Sequence, residues 1–163
     1  MKTLFFCLFI LPPAFAGILE ELTESEKALL TKGPIVKEKE NKNSSWPIIT
    51  MYILVDASPL ETVALFAAYD HQKNYVPNIV VSVPVKQVNP TEIWCRYEYK
   101  TPWPLSNSHY VHAHRLSKNQ NGFRVEWRAI ESDAMDRVSG AADFQPFEGK
   151  TLFKYHNEVE PKS

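Results

Sequence analysis

Apolar and polar residues alternate with a period of two over most of the second half of the chain, from Asn78 onward. This alternation is typical of β-strands that bury one face and expose the other to water. Turn-forming combinations of Asn, Gly, Pro and Ser interrupt the alternation. Six segments follow the pattern, at residues 78–88, 91–100, 108–117, 122–131, 136–146 and 150–159. The sequence therefore predicts an antiparallel meander of six successive strands.

The first half of the chain carries the helical patterns and one long extended run. In residues 18–33 leucines recur at helical spacing, and a Gly-Pro pair predicts where this first helix ends. Residues 46–59 are rich in β-branched side chains and predict a strand that ends in a turn. Ser58 is a suitable N-cap, and Pro59 suits the first turn of a second helix. Short N-terminal helices combined with an antiparallel sheet define an α+β fold class.

The N-terminus has the composition of a secretory signal peptide. Lys2 provides a short basic start, residues 4–11 form an apolar run, and a small-x-small cleavage sequence ends at Ala16. The apolar run is too short to span a bilayer, so a membrane anchor is disfavoured. We therefore predict cleavage near Ala16 and export of residues 17–163, as one domain, to the periplasm or out of the cell.

Composition excludes several classes of function for the mature chain. Only Lys2 of the 18 basic and 19 acidic side chains lies in the predicted signal peptide, so the domain has no basic surface for nucleic acid. Cys95 is its single cysteine and cannot form an intramolecular disulfide. The domain must therefore be stabilised by its core, and about 147 residues are enough to build one.

The third and fourth predicted strands form a hairpin whose register follows from its turn. A turn centred near Gln120 places His112 opposite Arg128. The same register places His114 opposite Glu126. The other face then carries the apolar side chains of Val111, Ala113, Phe123, Val125, Trp127 and Ala129, with Arg115 near the strand end as its one charge. Because one face is charged and the other apolar, we predict that the histidines face water and the apolar side chains pack inward.

The histidines of this hairpin have the spacing of two metal ligands on one strand face, since His112 and His114 are two residues apart. Further ligands would have to come from the same face, where Glu126 is the only cross-strand candidate. Arg124 and Arg128 flank it, and their positive charge repels a cation. We therefore predict a solvated strand face and no functional metal site.

The last hairpin predicts a second apolar surface. A two-residue turn at Glu148 and Gly149 places Asp143 opposite Lys154. The other face of this hairpin pairs apolar residues, Ala142 with Tyr155 and Phe144 with Phe153.

Together with strand 91–100, these hairpins predict one continuous apolar, aromatic face. Amphipathic aromatic side chains line ligand cavities because they combine apolar walls with hydroxyl or N–H groups. From the residues alone, an ordinary core beneath a covering helix is an equal alternative. The candidate cavity wall comprises Tyr97, Tyr99, Val111, Ala113, Arg115, Phe123, Val125, Trp127, Phe144, Phe153 and Tyr155.

No arrangement of residues in the sequence predicts catalysis. Nucleophile-elbow, phosphate-loop, zincin and Cys-x-x-Cys motifs are absent, and no cofactor is predicted. Cys95 is predicted to be a buried, inert thiol. In the predicted register no Asp, Glu or His faces inward to act as a general acid or base. Arg115 is the one inward charge, and it either pairs with an anionic head group or extends to solvent.

Several short motifs occur in the order and spacing of a known superfamily. They are Asp56-Ala57-Ser58-Pro59, Tyr69, Tyr75-Val76-Pro77, Pro102-Trp103-Pro104, Gly140, Gly149-Lys150-Thr151, Tyr155 and Pro161. Over nearly the whole mature chain they resemble the START-like (SRPBCC) superfamily with the helix-grip fold. This superfamily includes birch-pollen-allergen-like proteins, coenzyme Q-binding proteins and polyketide cyclases.

The resemblance implies a curved antiparallel sheet around a cavity for a lipid, sterol, quinone or polyketide. The expected function is non-enzymatic binding or transport of a hydrophobic small molecule, with transient membrane contact as a further expectation. A cyclase or hydrolase on the same fold, and a protein-interaction module that uses an open sheet, are the alternatives.

The resemblance also raises the question of what covers the sheet. Relatives begin a long C-terminal helix where this sequence ends, so we expect the sequence to be truncated. The alternatives are that the N-terminal helix, from Leu19 to Leu30, covers the sheet or that a partner chain does.

Overall fold

The computed structural model describes residues 17–162, so the predicted signal peptide, residues 1–16, lies outside the described residues. Eight strands of the described part of the chain form one sheet: β1 Ile35–Lys39, β2 Ile48–Val55, β3 Ile79–Asn89, β4 Glu92–Tyr99, β5 Ser108–Asn119, β6 Gly122–Ser132, β7 Met135–Phe147 and β8 Lys150–Pro161. Their order is β1-β2-β8-β7-β6-β5-β4-β3, and all neighbours are antiparallel. The predicted meander is confirmed as β3 to β8, and so is the α+β class with a curved sheet.

Within residues 17–162, four short helical segments accompany the sheet: a 3-10 helix Ile18–Glu21, α1 Glu24–Leu29, α2 Pro59–Phe66 and a 3-10 helix Tyr69–Asn74. The single first helix predicted over residues 18–33 is wrong, because Thr23 interrupts it with an extended backbone. Thr23 forms a capping box with Glu26, whose N–H donates to the Thr23 hydroxyl at 3.3 Å while its carboxylate accepts the Thr23 N–H at 2.8 Å. Between residues 17 and 162, no helix is both long enough and apolar enough to cross a membrane.

The N-terminal helices pack on the convex face of the sheet. Ile18, Leu22 and Leu30 are buried there. They form one apolar cluster with Tyr52 of β2 and Leu152 of β8. The N-terminal segment therefore does not cover the concave face, and the alternative in which this helix closes the sheet is excluded.

Helix α2 begins where the sequence predicts and packs on the concave face. Ser58 is its N-cap, and Pro59 is its first residue. The ring centroid of Phe66, at its end, lies 5.4 Å from that of Phe144 and 6.0 Å from that of Phe153. We call this region the packed half of the concave face; its members are Val63, Phe66, Val125, Ala142, Phe144 and Phe153.

The predicted register of the last hairpin is confirmed. Asp143 lies opposite Lys154. The turn residues Glu148 and Gly149 have positive φ angles of 48° and 79°, which match the right-handed twist of the two strands. The apolar pairs are also as predicted, Ala142 with Tyr155 and Phe144 with Phe153.

The predicted register of β5 and β6 is wrong by one residue. The turn consists of the two residues Gln120 and Asn121, so that His114 lies opposite Trp127. The side-chain period of a strand is two, so this shift moves the side chains of β5 to the other face. His112 and His114 therefore face the concave side. The convex face of β5 carries Val111, Ala113 and Arg115.

Candidate functional site

The part of the concave face that α2 does not cover forms a cavity of about 540 Å³. We call this region the cavity half. The apolar residues of its wall include Val76, Ile79, Ala134, Met135, Val138 and Val159, and Phe66 at the end of α2 borders it. Among residues 17–162, those that line the cavity include no Asp, Glu, Lys or Arg. Its size and its largely apolar wall are typical of small-molecule sites.

The structure separates the predicted wall residues into three groups. Those that line the cavity are Tyr97, Tyr99, Trp127 and Tyr155. Those that pack in the core around α2 are Phe123, Val125, Phe144 and Phe153. The apolar face predicted from the sequence is thus part cavity wall and part closed core.

The third group, Val111, Ala113 and Arg115, was assigned to the wrong face. These residues lie on the convex side of β5, where Arg115 is exposed. Ala113 is buried there, because its register neighbours Trp94 and Arg128 flank the small side chain. Of the two alternatives for Arg115, pairing with a head group inside the cavity is therefore wrong, and extension to solvent agrees with its exposure.

Trp127 forms the border between the cavity and the packed half. Its ring stacks on Tyr155 at a centroid distance of 5.1 Å, and its Nε1–H donates to Asn157 Oδ1 at 3.1 Å. Gly140 lies opposite Trp127 in β7, and a Cβ atom there would lie 2.3 Å from the indole ring. Glycine is therefore required at this position for the ring to lie flat against the sheet.

A polar cluster on β4 and β5 occupies another part of the cavity wall. We call it the tyrosine–histidine cluster, and it comprises Tyr97, Tyr110, His112 and His114. The Tyr97 hydroxyl and His114 Nε2 share a hydrogen bond of 3.0 Å. The Tyr110 ring stacks on that of Tyr97 at 5.2 Å, and the His112 ring lies 4.5 Å from that of Tyr110.

Three members of the cluster were missed from the sequence because of the register error. The signal that could have identified them is the turn itself. When the turn is centred between Gln120 and Asn121, the side chains of Tyr110, His112 and His114 face inward.

Burial holds the cluster in its uncharged form. Removal from water lowers the pKa of His112 to about 4. Burial, with the nearby His112 as a second cause, lowers the pKa of His114 to about 3. Burial also raises the pKa of Tyr97 and of Tyr110 above the usual tyrosine range. Near neutral pH the cluster therefore offers hydrogen-bond donors and acceptors but no charge.

The histidines share one face as the sequence spacing indicates, but they lie inside the protein. The ring centroids of His112 and His114 are 6.0 Å apart. In the described part of the chain, no three or more His, Cys, Asp or Glu side chains are grouped to hold a metal ion. Cys95 is fully buried as predicted, and burial raises the pKa of its thiol to about 12, which makes it unreactive.

Comparison with known proteins identifies the fold. No protein-family model matches the chain, and no curated protein matches it significantly. A fragment of the STAR-related lipid transfer protein from Xanthomonas axonopodis matches with a TM-score of 0.73 and 18% identity, over 80% of this chain and 78% of that one. The human StarD13 lipid transfer and protein localization domain matches with a TM-score of 0.60 and 12% identity, over 92% and 86%.

A named enzyme has a similar structure. The ZhuI aromatase/cyclase from Streptomyces matches with a TM-score of 0.61 and 9% identity, over 71% of this chain and 68% of that one. At such identities the three matches establish the fold alone. The chain has the START-like helix-grip fold, as its sequence motifs predict.

Proposed function

We propose that the protein binds a hydrophobic small molecule in the cavity and carries it without chemical change. The observation behind this proposal is the cavity of about 540 Å³, whose wall combines apolar surface with uncharged hydroxyl, amide and imidazole groups. Burial of apolar surface contributes affinity, at about 25 cal/mol per Å² removed from water. The uncharged polar groups orient the ligand.

The comparisons support a lipid-like ligand. Two of the similar structures are named for lipid transfer, the Xanthomonas axonopodis protein and the human StarD13 domain. They share the fold with this chain, and the cavity on its concave face can hold a ligand of that character. We therefore propose a lipid, sterol or quinone-like molecule.

Export of the carrier is part of the proposal and rests on the N-terminal sequence. A signal peptide that ends at Ala16 would leave Gly17 as the first residue of the mature protein. Mass spectrometry of the protein from separated cell fractions should find this shortened chain in the periplasm or the medium. Full-length protein confined to the cytoplasm would contradict export.

Binding is tested by native mass spectrometry and by titration with the neutral dye Nile red. Protein purified from its own compartment should retain an adduct with the mass of a lipid-like molecule. Ala134→Phe, which places a ring in the cavity, should abolish the adduct and the dye binding. The matched control Ala28→Phe, at an exposed position of α1, should leave both unchanged. A clean apo mass and no dye binding by the unmodified protein would contradict the proposal.

An enzyme of the cyclase type is the second candidate, and one observation favours it. Tyr97, His112 and His114 face the cavity, whereas the sequence predicted no inward acid or base. A structure of similar fold is named an aromatase/cyclase. However, a general base works best with a pKa near the operating pH, and the pKa of both histidines lies far below neutrality.

These two candidates differ in the fate of the ligand. Carriage predicts that the extracted native ligand is returned unchanged after incubation with fresh protein. Catalysis predicts a new mass that is lost in His112→Phe. Mass spectrometry of the recovered ligand separates the two outcomes.

A further inference from the structure

We propose that the tyrosine–histidine cluster recognises one neutral polar group, a carbonyl or a hydroxyl, on an otherwise apolar ligand, and disfavours ligands with a charged head group. This inference rests on the proposed function, because it names the ligand class of the same cavity. It assigns the donor to Tyr97, with Tyr110 and His112 as neighbouring polar contacts.

The hydrogen bond between Tyr97 and His114 leaves the tyrosine proton available to a ligand. His114 is 5% exposed, and its Nδ1 atom is buried without a hydrogen-bond partner among the described residues. If Nδ1 carried the proton, a buried N–H would be unpaired, which is rarer than an unpaired acceptor. The imidazole therefore carries its proton on Nε2 and donates it to the Tyr97 oxygen at 3.0 Å. The Tyr97 O–H can then donate to a ligand, with the neighbouring Cys95 thiol as its competing acceptor.

Tyr110 and His112 present further polar atoms beside this donor. Across residues 17–162, neither the Tyr110 hydroxyl nor a ring nitrogen of His112 has a hydrogen-bond partner. Both side chains are half-buried and line the cavity. The rings of Tyr97, Tyr110 and His112 lie 4.5 to 5.8 Å apart, centroid to centroid. Because these polar atoms face the cavity and have no protein partner, they can form hydrogen bonds with a ligand that enters it.

The charge of the wall determines which polar group fits. No Lys, Arg, Asp or Glu is among the described residues that line the cavity. An ionised head group would lose its hydration there without gaining a counter-charge. A carbonyl or hydroxyl group needs only a neutral donor or acceptor, which the cluster provides.

Three ligands with the same naphthalene rings test the proposal: 2-acetylnaphthalene, 2-ethylnaphthalene and 2-naphthoate. Their Kd values are measured by displacement of Nile red at pH 7. Tyr97→Phe should raise the Kd of 2-acetylnaphthalene about 3- to 10-fold, the effect of one hydrogen bond, and leave that of 2-ethylnaphthalene within about 2-fold. The control Tyr52→Phe removes a hydroxyl on the convex side and should change neither value. The unmodified protein should bind 2-naphthoate most weakly.

Each other outcome overturns part of the proposal. If Tyr97→Phe shifts the Kd of the ketone and of the hydrocarbon equally, the cluster has only a structural role and the inference is wrong, while carriage stands. Tighter binding of 2-naphthoate than of 2-acetylnaphthalene would overturn the preference for a neutral group. If the unmodified protein binds neither Nile red nor any naphthalene, carriage itself is wrong. His112→Phe, at a half-buried position, gives the same ketone-selective readout if Tyr97→Phe does not fold.

Discussion

The packed half and the cavity half are two regions of one concave face, and they differ in what lies against the sheet. In the packed half, Phe66 of α2 contacts Phe144 and Phe153, and the space is closed. In the cavity half, the wall carries the Tyr97–His114 hydrogen bond and remains open to a ligand. Polar side chains of the wall are thus concentrated beyond the end of α2, where Tyr69 of the second 3-10 helix lies 4.4 Å from His114, centroid to centroid.

This difference shows that one apolar strand pattern can build both a core and a binding site. Helix α2 is only eight residues long and ends at Phe66, so it covers only part of the face. Substitutions in the packed half should therefore act mainly on stability, and those in the cavity half mainly on binding.

The largest expected effect is the loss of an aromatic ring from the packed half. Phe144 is fully buried, so Phe144→Ala should lower the free energy of unfolding by about 3 to 5 kcal/mol, measured by urea denaturation. Tyr110→Ala in the cavity half should cost less than half as much, because it enlarges a space that is already open. Equal losses would contradict the distinction between the halves.

A smaller effect should follow from acidification, which acts on the cavity half. The pKa of His112 is about 4 and that of His114 about 3 in the folded protein, against 6.5 for an unperturbed histidine. At pH values between the folded and the unfolded pKa, the unfolded chain binds more protons than the folded protein. The histidine contribution to the free energy of unfolding is therefore fully present above pH 6.5 and decreases as the pH falls. From pH 7 to pH 5, protonation of each histidine in the unfolded chain should lower the free energy of unfolding by about 2 kcal/mol.

His112→Phe isolates this contribution. The variant should lose about 2 kcal/mol less than the unmodified protein between pH 7 and pH 5, measured by urea denaturation at both values. Carboxylates such as Glu21, whose pKa is lowered by its hydrogen bonds to Lys154 and Tyr52 against the effect of burial, lose their contribution at lower pH. Identical pH dependence in the two proteins would contradict burial of a neutral His112.

The smallest expected effect concerns the helix that separates the halves. The Ser58 hydroxyl accepts the Glu61 N–H at 3.3 Å and caps α2. Ser58→Ala should lower the free energy of unfolding by about 1 kcal/mol in the same assay. Ser58→Asp retains an acceptor and should cost much less; an equal loss in both variants would show that the cap does not stabilise α2.

The two hairpins show how far the sequence leads. The register of β7 and β8 was predicted because Glu148 and Gly149 form an unambiguous two-residue turn. The segment 118–122, Lys-Asn-Gln-Asn-Gly, allows several turn positions, and the wrong choice reversed the faces of β5. A histidine also does not show which face of a strand is buried, because neutral imidazole is tolerated inside a protein whereas charged imidazole prefers water.

The candidate site was also predicted only in part from the sequence. Tyr97, Tyr99, Trp127 and Tyr155 lie on the cavity wall, and the apolar alternation of β4, β6 and β8 sets their faces. The same alternation cannot distinguish a cavity wall from a closed core. For this reason Phe144 and Phe153 were assigned to the cavity although α2 packs on them.

By itself the sequence determined the α+β class, the six-strand meander and the inward faces of β4, β6, β7 and β8, because strand periodicity is a local property of the chain. Only the tertiary structure decided how much of the sheet α2 covers and which face of β5 points inward. Both depend on contacts between residues far apart in the sequence, and a one-residue shift in one turn exchanges the solvated face for the buried one. That shift places His112 and His114 in the cavity wall.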